Sequence, residues 1–270
     1  MDNLGPENES ILEINLDGCN RKFAFYHPSG TFALTPASKT LIHAIIQNKD
    51  KLHGVGIDWG SGIGCLAIVA ASLESVDKVY GLEISKRDVD VSYENAKTNQ
   101  VFDKVEFFHS DSYSPLMEKD KKILWGFNMK VDFIISNPPS SEGDDGFGFR
   151  REVLKGGRTF LKKDGIVFLN ISLQYGQSRI EDLVKDVEGY HYKGLLYSTE
   201  WVPFDLNRED LLHCLEMYKH EEENGGMEYT FKSADLNISS YINAATAYED
   251  YQKTGKSPLT RWQTHLFQLI

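Results

Sequence analysis

The strongest structural signal in the chain is the segment Gly54-Val55-Gly56-Ile57-Asp58-Trp59-Gly60-Ser61-Gly62-Ile63-Gly64. Its first half is mostly apolar and short, which is typical of a buried strand, and its second half is a glycine-rich turn. The turn leads into an apolar stretch, residues 63–73, which is predicted to form a helix. A strand, a glycine-rich turn and a helix in this order are a general device for binding nucleotides.

The same pattern of a short β-branched run followed by a helix-like stretch recurs along the chain. The further runs are residues 78–83, 104–108, 131–137 and 165–170. Counted from Asp58, the polar residues Glu83, Asp111 and Asn137 follow these runs 25, 53 and 79 positions later. Steps of that size fit successive strand–helix units. Near-continuous apolar strands indicate a parallel sheet that is covered on both faces.

The polar residues that end these strands are expected to share one crevice. Right-handed crossovers place the carboxyl end of every parallel strand at the same edge of the sheet. Ligands of such sheets bind outside that edge. We therefore expect Asp58, Glu83, Asp111 and Asn137 to face one site, although the order of the strands does not follow from these spacings.

The glycine-rich turn and the acid of the next strand together predict a cofactor site. Gly60, Gly62 and Gly64 permit positive φ and let the backbone approach a ligand closely. Glu83 lies 19 residues after Gly64, at the end of the second strand. A carboxylate at that place can accept hydrogen bonds from both hydroxyls of a ribose.

The charges around the turn favour S-adenosylmethionine over a dinucleotide as the cofactor. The dinucleotide pattern G-x-G-x-x-G/A is not met, because Cys65 takes its sixth position and Gly64 gives G-x-G-x-G. Asp58 would repel a pyrophosphate, whereas it attracts the ammonium of an amino-acid group. We expect Asp111 to accept a hydrogen bond from an adenine amino group. The alternative interpretation is that these acids only cap helices.

The residues predicted to bind the cofactor lie in the turn and at the ends of the strands. They are Asp58, Trp59, Gly60, Gly62, Gly64, Glu83, Asp111, Ser112 and Asn137.

The turn Asn137-Pro138-Pro139 is predicted to carry the catalytic residues. Proline fixes φ and lacks an N–H, so this turn is rigid. The side-chain carbonyl of Asn137 and the backbone carbonyl of Pro138 can then accept two hydrogen bonds from a substrate NH₂ group. Such contacts orient the nitrogen lone pair and stabilise the positive charge that develops on nitrogen. The alternative is an ordinary loop that ends a strand.

These motifs resemble the class I S-adenosylmethionine-dependent methyltransferases, and most closely the HemK-type protein-glutamine methyltransferases with their "small" N-methyltransferase relatives. The resemblance covers roughly residues 30–172, with only a loose likeness over 32–40. It implies a doubly wound α/β fold, with a mostly parallel seven-stranded sheet and helices on both faces. The similar segments are residues 58–64, 83, 93–99, 111, 137–139, 145–146, 150–151 and 161–165.

The sequence departs from this family at one position. Ser140 stands where the family usually has a tyrosine or phenylalanine that stacks on a planar substrate. Phe147, Phe149 and Tyr26 are candidates to supply that ring, and helix packing is the favoured alternative for the two phenylalanines. The departure bears on whether the substrate is a planar group at all, such as an adenine or a glutamine amide.

Composition limits the class of protein and of partner. The 270 residues carry a formal net charge of −11, which disfavours nonspecific binding to nucleic-acid backbones and anionic membranes. A basic run over residues 150–163 could form a local groove, but the favoured interpretation is a solvated helix face. Neither the N-terminus nor any apolar run resembles a signal or membrane span, so we expect a soluble cytoplasmic protein, with a nuclear one as the alternative. The spacing of Cys19, Cys65 and Cys214 suggests no disulfide framework and no metal site.

The remaining chain is interpreted as additions to one core domain. Residues 1–50 are predicted to be an N-terminal extension that packs on the core, with a strand pair and then a helix over 36–49. Residues 51–270 are predicted to be the methyltransferase domain, with a C-terminal elaboration at about 200–260. After the run at 165–170, the chain is predicted to contain helices at 177–187, 207–222 and 238–253, and strands at 192–201, 227–232 and 262–270.

The leading functional hypothesis is methyl transfer from S-adenosylmethionine to an amino or amide nitrogen of a protein or peptide side chain. Alternatives are an N6-adenine methyltransferase acting on RNA or DNA, a small-molecule amine methyltransferase, and a catalytically silent scaffold that binds the cofactor. A nicotinamide-dependent dehydrogenase is disfavoured by Asp58 and by the glycine spacing.

Overall fold

A computed structural model of the chain describes residues 9–16, 19–31, 34–141, 145–234 and 240–270. The stretch 32–40 and the predicted helix 238–253 therefore each begin outside the described residues. The strands are β1 (Glu9–Leu16), β2 (Cys19–Tyr26), β3 (Gly54–Trp59), β4 (Val76–Glu83), β5 (Val105–Asp111), β6 (Ser114–Pro115), β7 (Val131–Ser136), β8 (Leu161–Asn170), β9 (Tyr190–Ser198), β10 (Val202–Pro203), β11 (Phe231–Lys232), β12 (Tyr241–Ile242), β13 (Leu259–Thr260) and β14 (Gln263–Leu269). The α-helices are α1 (Pro36–Gln47), α2 (Cys65–Ala71), α3 (Lys86–Thr98), α4 (Glu118–Trp125), α5 (Gly148–Phe160), α6 (Gln177–Asp186), α7 (Glu209–Glu223) and α8 (Ala244–Thr254).

The central sheet has the strand order β6-β5-β4-β3-β7-β8-β14-β9. Strands β5, β4, β3, β7 and β8 run parallel to one another. Strand β14 runs antiparallel to both of its neighbours, β8 and β9. The predicted mostly parallel sheet is confirmed, but it has eight strands and not the predicted seven, because β6 adds two residues antiparallel to β5.

Helices cover both faces of this sheet, because side chains along each strand alternate between two cores. Phe133 and Ile135 belong to the core that α1, α2 and α3 close, whereas Ile134 belongs to the core under α4, α5 and α6. The side chains of all three residues are fully buried. Burial on both faces explains why the runs in the sequence are almost continuously apolar.

The parallel register brings the carboxyl ends of four strands level with each other. Trp59 at the end of β3 pairs with Leu82 on one side and with Ser136 on the other. Glu83 at the end of β4 pairs with His109 near the end of β5. The prediction that these strands end at one edge of the sheet is confirmed.

The N-terminal segment contains the predicted strand pair and helix. Strands β1 and β2 form an antiparallel hairpin, and α1 begins at Pro36 with the side chain of Thr35 accepting a hydrogen bond from the Ser38 N–H. Two asparagines, Asn95 within α3 and Asn99 at its C-cap, form hydrogen bonds with the backbone of β2. Asn95 bonds both backbone groups of Tyr26, and Asn99 bonds both backbone groups of Ala24.

The C-terminal segment forms a small sheet of order β10-β13-β11-β12, with α7 packed against α8. The predicted strand at 227–232 is wrong in length, since only Phe231–Lys232 pairs with other strands. The predicted helix at 238–253 is wrong at its start, because Asn243 caps α8 through its side chain and Tyr241–Ile242 is extended. None of the helices in the described ranges is both long and apolar enough to cross a bilayer.

Candidate functional site

Three glycines with positive φ, Gly60, Gly62 and Gly64, give the turn after β3 its shape. Gly60 has a φ of +71°, and no atom lies within 4 Å of the place where a Cβ would stand. Gly64 has a φ of +85°, and a Cβ there would lie 2.8 Å from the ring of Phe107. The N–H groups of Gly60 and Ser61 donate to the carbonyl of Leu82 on the neighbouring strand. The turn is thus packed tightly at its helix end and open at its strand end.

Glu83 holds the turn in place through both oxygens of its carboxylate. Oε2 accepts from the Gly62 N–H at 2.8 Å, and Oε1 accepts from the Ser85 N–H at 2.8 Å. Burial raises the pKa of Glu83, and the two backbone N–H donors oppose that rise. Each carboxylate oxygen has capacity for a further donor, so Glu83 can bind a ligand hydroxyl while it supports the turn.

Asp58 lies behind the turn and not at its open rim. Its side chain is fully buried, and Oδ2 accepts from the Ala67 N–H of α2 at 2.9 Å. Oδ1 is also buried and has no hydrogen-bond partner among the described residues. Burial raises the pKa of Asp58 to about 8, with the charge of Glu83 adding to the rise. Direct contact of this carboxyl with a ligand ammonium stays a prediction.

Trp59 ties together the ends of three strands. Its indole Nε1–H donates to Ser112 Oγ at 2.9 Å, and its carbonyl accepts from Ser136 Oγ at 2.9 Å. Ser112, which follows β5, has a φ of +51°. The predicted residues at the ends of β3 and β5 are therefore in direct contact, and the end of β7 is bonded to the same tryptophan.

Asp111 is exposed at the end of β5. With Ser112 it borders a cavity of about 520 Å³ between the end of β5 and helix α5. The other residues that line this cavity are Tyr113, Ser114, Gly148, Arg151, Glu152, Lys155 and Gly156. The loop glycines, Glu83 and Asn137 are not among the residues that line it, and Ser112 is linked to the end of β3 through its hydrogen bond with Trp59.

The Asn137-Pro138-Pro139 turn leaves β7 beside the start of α1 and the end of β8. Asn137 is half-buried, with Nδ2 donating to Ser38 Oγ at 3.4 Å and Oδ1 accepting from Asn170 Nδ2 at 2.9 Å. Pro138 is buried and Pro139 is exposed. None of the described residues donates a hydrogen bond to the carbonyl of Pro138.

Asn170 also lies beside Asn137 at this edge of the sheet, although it is not among the residues predicted from the sequence. It ends β8, which is the fifth strand of the same pattern, and its amide contacts that of Asn137 directly. The rule that selected the polar residues at the ends of the first four strands would have found Asn170 at the fifth. Ser38 was also missed, because its contact joins positions 99 residues apart.

The three candidate rings lie in different places. Phe147 is 1% exposed and packs edge-on against Tyr175 at 5.1 Å between ring centroids, so the packing interpretation is correct for it. Phe149 is 37% exposed, with its ring centroid 6.1 Å from that of Trp59. Tyr26 lies on β2, where Asn95 of α3 holds its backbone.

The position of the family's aromatic residue is contacted by a ring from another segment. Ser140 Oγ accepts from the hydroxyl of Tyr175 at 2.9 Å. Tyr175 is buried beneath the guanidinium of Arg150, which lies 4.8 Å from the ring centroid and is itself 5% exposed. The interpretation of the whole basic run as a solvated helix face is therefore wrong at Arg150.

Comparison with known proteins places the chain in a family. The family model described as "Methyltransferase small domain" matches residues 22–194, which is more than half of the 270 residues. The release factor glutamine methyltransferase of Bacillus anthracis is 26% identical over 203 residues, which span 65% of this chain and 65% of that protein. That of Moorella thermoacetica is 25% identical over 220 residues, or 71% of each chain. The chain thus spans just under two thirds of the first of these relatives.

Solved structures share the fold at low sequence identity. The T. thermophilus 16S rRNA N2 G1207 methyltransferase RsmC, in complex with AdoMet and guanosine, has a TM-score of 0.51 and 20% identity. That match covers 70% of this chain and 48% of the other. A methyltransferase from Pyrococcus furiosus has a TM-score of 0.50 and 17% identity, covering 90% of this chain and 86% of the other. From its glycine turn, its strand order and the match over residues 22–194, the chain belongs to the methyltransferase small domain family.

Proposed function

We propose that this protein transfers a methyl group from S-adenosylmethionine to an amide nitrogen of a protein side chain, with glutamine as the acceptor. The observation that carries the proposal is the contact set at the sheet edge. Trp59 is hydrogen-bonded to Ser112 after β5 and to Ser136 at the end of β7. The Glu83 carboxylate accepts a hydrogen bond from Gly62 in the turn after β3. A cofactor turn and the Asn-Pro-Pro turn are thereby held on one rigid edge.

The residues at this edge fit S-adenosylmethionine. Gly60 leaves open space where any other residue would place a Cβ, and the buried Oδ1 of Asp58 lacks a donor in the described ranges. Glu83 has acceptor capacity left for ribose hydroxyls, and Asp111 is exposed for the adenine amino group. A set of acids suits a ligand that carries an ammonium and a sulfonium and no phosphate.

The full proposed binding set is the one that the sequence predicts. Its members are Asp58, Trp59, Gly60, Gly62, Gly64, Glu83, Asp111, Ser112 and Asn137. When bound, S-adenosylmethionine would supply an electrophilic methyl group for attack by a nitrogen lone pair, with the thioether S-adenosylhomocysteine as the leaving group.

Asn137 and Pro138 orient the acceptor nitrogen. Oδ1 of Asn137 has one lone pair engaged by Asn170 and one left for a substrate N–H. The carbonyl of Pro138, to which no described residue donates, accepts the second N–H of the same nitrogen. Two fixed acceptors hold the lone pair in one direction and stabilise positive charge as it forms on nitrogen. Pro139 restricts the turn, so these carbonyls lose little entropy on binding.

A protein acceptor fits the charge of the chain and the names of its relatives better than a nucleic acid does. The net charge of −11 opposes a phosphate backbone. The curated relatives from Bacillus anthracis and Moorella thermoacetica are named for glutamine methylation of release factors.

We also propose the domain division 1–50 and 51–270, with residues 200–260 as an elaboration. The bonds of Asn95 and Asn99 to β2 support an extension that packs on the core.

The cofactor half of the proposal is tested with Glu83→Gln. The substitution keeps the size of the side chain and replaces one acceptor oxygen by a donor, so we expect affinity for S-adenosylmethionine to fall about 10- to 100-fold. Isothermal titration calorimetry measures the affinity. Glu94→Gln, at a glutamate that is 65% exposed on α3, is the control and should bind as the unmodified protein does. Equal affinity for both variants would rule out this site.

The transfer half is tested with Asn137→Ala and isotope-labelled S-adenosylmethionine. The unmodified protein is incubated with the protein fraction and, separately, the RNA and metabolite fractions of a cell extract, and mass spectrometry locates the label. We expect label on a glutamine side chain, and we expect Asn137→Ala to lose about 100-fold or more in turnover, with a much smaller loss of cofactor affinity. Label on adenine or on a small amine would show that the methyl acceptor is not a protein side chain. Absence of label from every fraction would indicate a silent scaffold.

A further inference from the structure

The amide of Asn170 is held from three sides at the end of β8. Nδ2 donates to the carbonyl of Ala37 at 2.7 Å and to Oδ1 of Asn137 at 2.9 Å, and Oδ1 accepts from the hydroxyl of Thr264. Asn170 is 5% exposed and Thr264 is fully buried. These partners come from α1, the turn after β7 and β14, so three separate segments converge on one side chain.

This pattern of partners fixes the orientation of the Asn170 amide. Both hydrogens on Nδ2 face carbonyl oxygens, of Ala37 and Asn137, and Oδ1 faces a hydroxyl. A flipped amide would set its oxygen against two other oxygens inside the protein, which is strongly unfavourable.

The orientation of Asn137 follows from that of Asn170. Because Asn170 presents an N–H to it, Asn137 must present its oxygen, and its Nδ2 then faces Ser38 Oγ. The opposite orientation would place two NH₂ groups in contact. On the substrate side, Asn137 therefore offers the remaining lone pair of Oδ1.

We infer that Asn170 is a positioning residue. It fixes the orientation of the Asn137 side-chain amide, so that Asn137 Oδ1 accepts a hydrogen bond from the substrate nitrogen that receives the methyl group. This inference rests on the proposed function. It deepens that function by setting the chemistry of the acceptor. Asn137 Oδ1 and the Pro138 carbonyl are two hydrogen-bond acceptors, so a nitrogen that fills both must carry two N–H bonds, as a primary amide or amine does. A nitrogen that is already methylated has at most one N–H, so a single methyl transfer per nitrogen is expected.

The test uses Asn170→Asp, which keeps the size of the side chain and replaces both N–H donors by an acceptor. We expect kcat to fall about 100-fold with KM changed less than about 3-fold, because orientation is lost and the binding surface stays. Asn99→Asp is the matched control, since Asn99 is also a buried amide that bonds backbone, and it lies at the end of α3. It should lose thermal stability but keep kcat within about 2-fold.

A spectroscopic measurement gives a readout independent of turnover. In protein labelled with ¹⁵N-asparagine, Asn137→Ala identifies the side-chain NH₂ resonances of Asn137. Those resonances should move in Asn170→Asp and stay in place in Asn99→Asp. Thr264→Val, which removes only the hydroxyl that donates to Asn170, should lower kcat by about 5-fold and serves if Asn170→Asp does not fold.

The outcomes separate this inference from the proposed function. Unchanged kcat in both Asn170→Asp and Thr264→Val, or an equal kcat loss in Asn99→Asp, would overturn the positioning role. If the unmodified protein methylates nothing, the proposed function fails. The resonances of Asn137 then decide the inference alone, and resonances that stay in place in Asn170→Asp overturn it.

Discussion

Burial and one hydrogen bond compete over the carboxyl group of Asp58. Removal from water favours the neutral acid, whereas the Ala67 N–H favours the carboxylate. Burial prevails, and the pKa of Asp58 rises to about 8. In the unfolded chain the same group titrates near 4. Between these two values the folded protein holds a proton that the unfolded chain has lost.

This difference in pKa predicts how stability depends on pH. The folded state is favoured by its neutral Asp58 at low pH, and it loses that advantage as pH rises from about 4 to about 8. The side chain at position 58 of the Asp58→Asn variant cannot ionise, so the variant does not lose this stability as pH rises. The free energy of unfolding of the variant minus that of the unmodified protein should therefore be higher at pH 8.5 than at pH 5, by an amount of the order of a few kcal/mol. The pH-independent effect of burying the new NH₂ group cancels in this comparison.

Urea unfolding at the two pH values, without added cofactor, measures the shift. Asp77→Asn, at an exposed aspartate on β4, is the control and should shift little. A difference that is the same at pH 5 and pH 8.5 in Asp58→Asn would contradict the assignment of a neutral Asp58.

A second prediction concerns cofactor affinity at the same residue. A cation bound near Asp58 favours the carboxylate and lowers its pKa, so binding must release a proton where the free protein is protonated. We expect affinity for S-adenosylmethionine to increase from pH 6 to pH 8.5, and Asp58→Asn to remove that increase. Calorimetry in buffers of different ionisation enthalpy counts the released proton, and a count of zero at pH 6.5 would contradict the prediction.

At the scale of single residues, the sequence predicts the acids and glycines because each marks the end of a strand. It does not predict the hydrogen-bond partners. Asn170 meets Asn137 only because β8 lies next to β7, and Asn137 meets Ser38 only because α1 packs beside β8. Such contacts depend on the order of the sheet, which the spacing of the runs leaves open.

At the scale of elements, long buried strands are predictable and two-residue strands are not. A run such as β7, buried on both faces, has a composition that no loop shares. Strands β10, β11, β12 and β13 have two residues each, which is too short for any periodicity to appear in the sequence. The errors at 227–232 and 238–253 both lie in that region.

Helix α8 depends on a carboxylate from another helix. Glu222 of α7 accepts from the N–H groups of Tyr229, Ala244 and Ala245, at 2.7, 3.0 and 2.8 Å. Two of these donors lie in the first turn of α8, where a negative charge is also favoured by the helix dipole. Glu222→Gln should therefore lower the free energy of unfolding by about 1–2 kcal/mol.

Hydrogen exchange gives this prediction a local readout. Amides of α8 and of the 259–260 strand should lose protection in Glu222→Gln, while those of β3 and β4 keep theirs. Glu223→Gln, at the exposed neighbouring position, is the control. Equal protection of α8 in the two variants would show that the carboxylate does not hold the helix.

At the scale of the whole molecule, the net charge of −11 disfavours a nucleic-acid substrate, so we expect KM for the methyl acceptor to depend only weakly on salt concentration. Binding to a nucleic acid through several phosphates loses about 10³-fold or more in affinity between 50 and 200 mM salt. For a protein acceptor we expect KM to change less than about 3-fold over that range. Steady-state kinetics with the labelled acceptor measures this, and a steep rise in KM would indicate an RNA or DNA substrate.

The position of β14 has a consequence for how the protein is made. This strand fills the space between β8 and β9, although it follows β9 by more than 60 residues in the chain. During synthesis the ribosome releases β8 and β9 first, and each then has an unpaired edge where β14 will insert. The nascent polypeptide cannot complete its main hydrophobic core until translation has passed residue 269. We therefore expect folding to finish after translation of this strand, with the waiting edges as natural targets for chaperones.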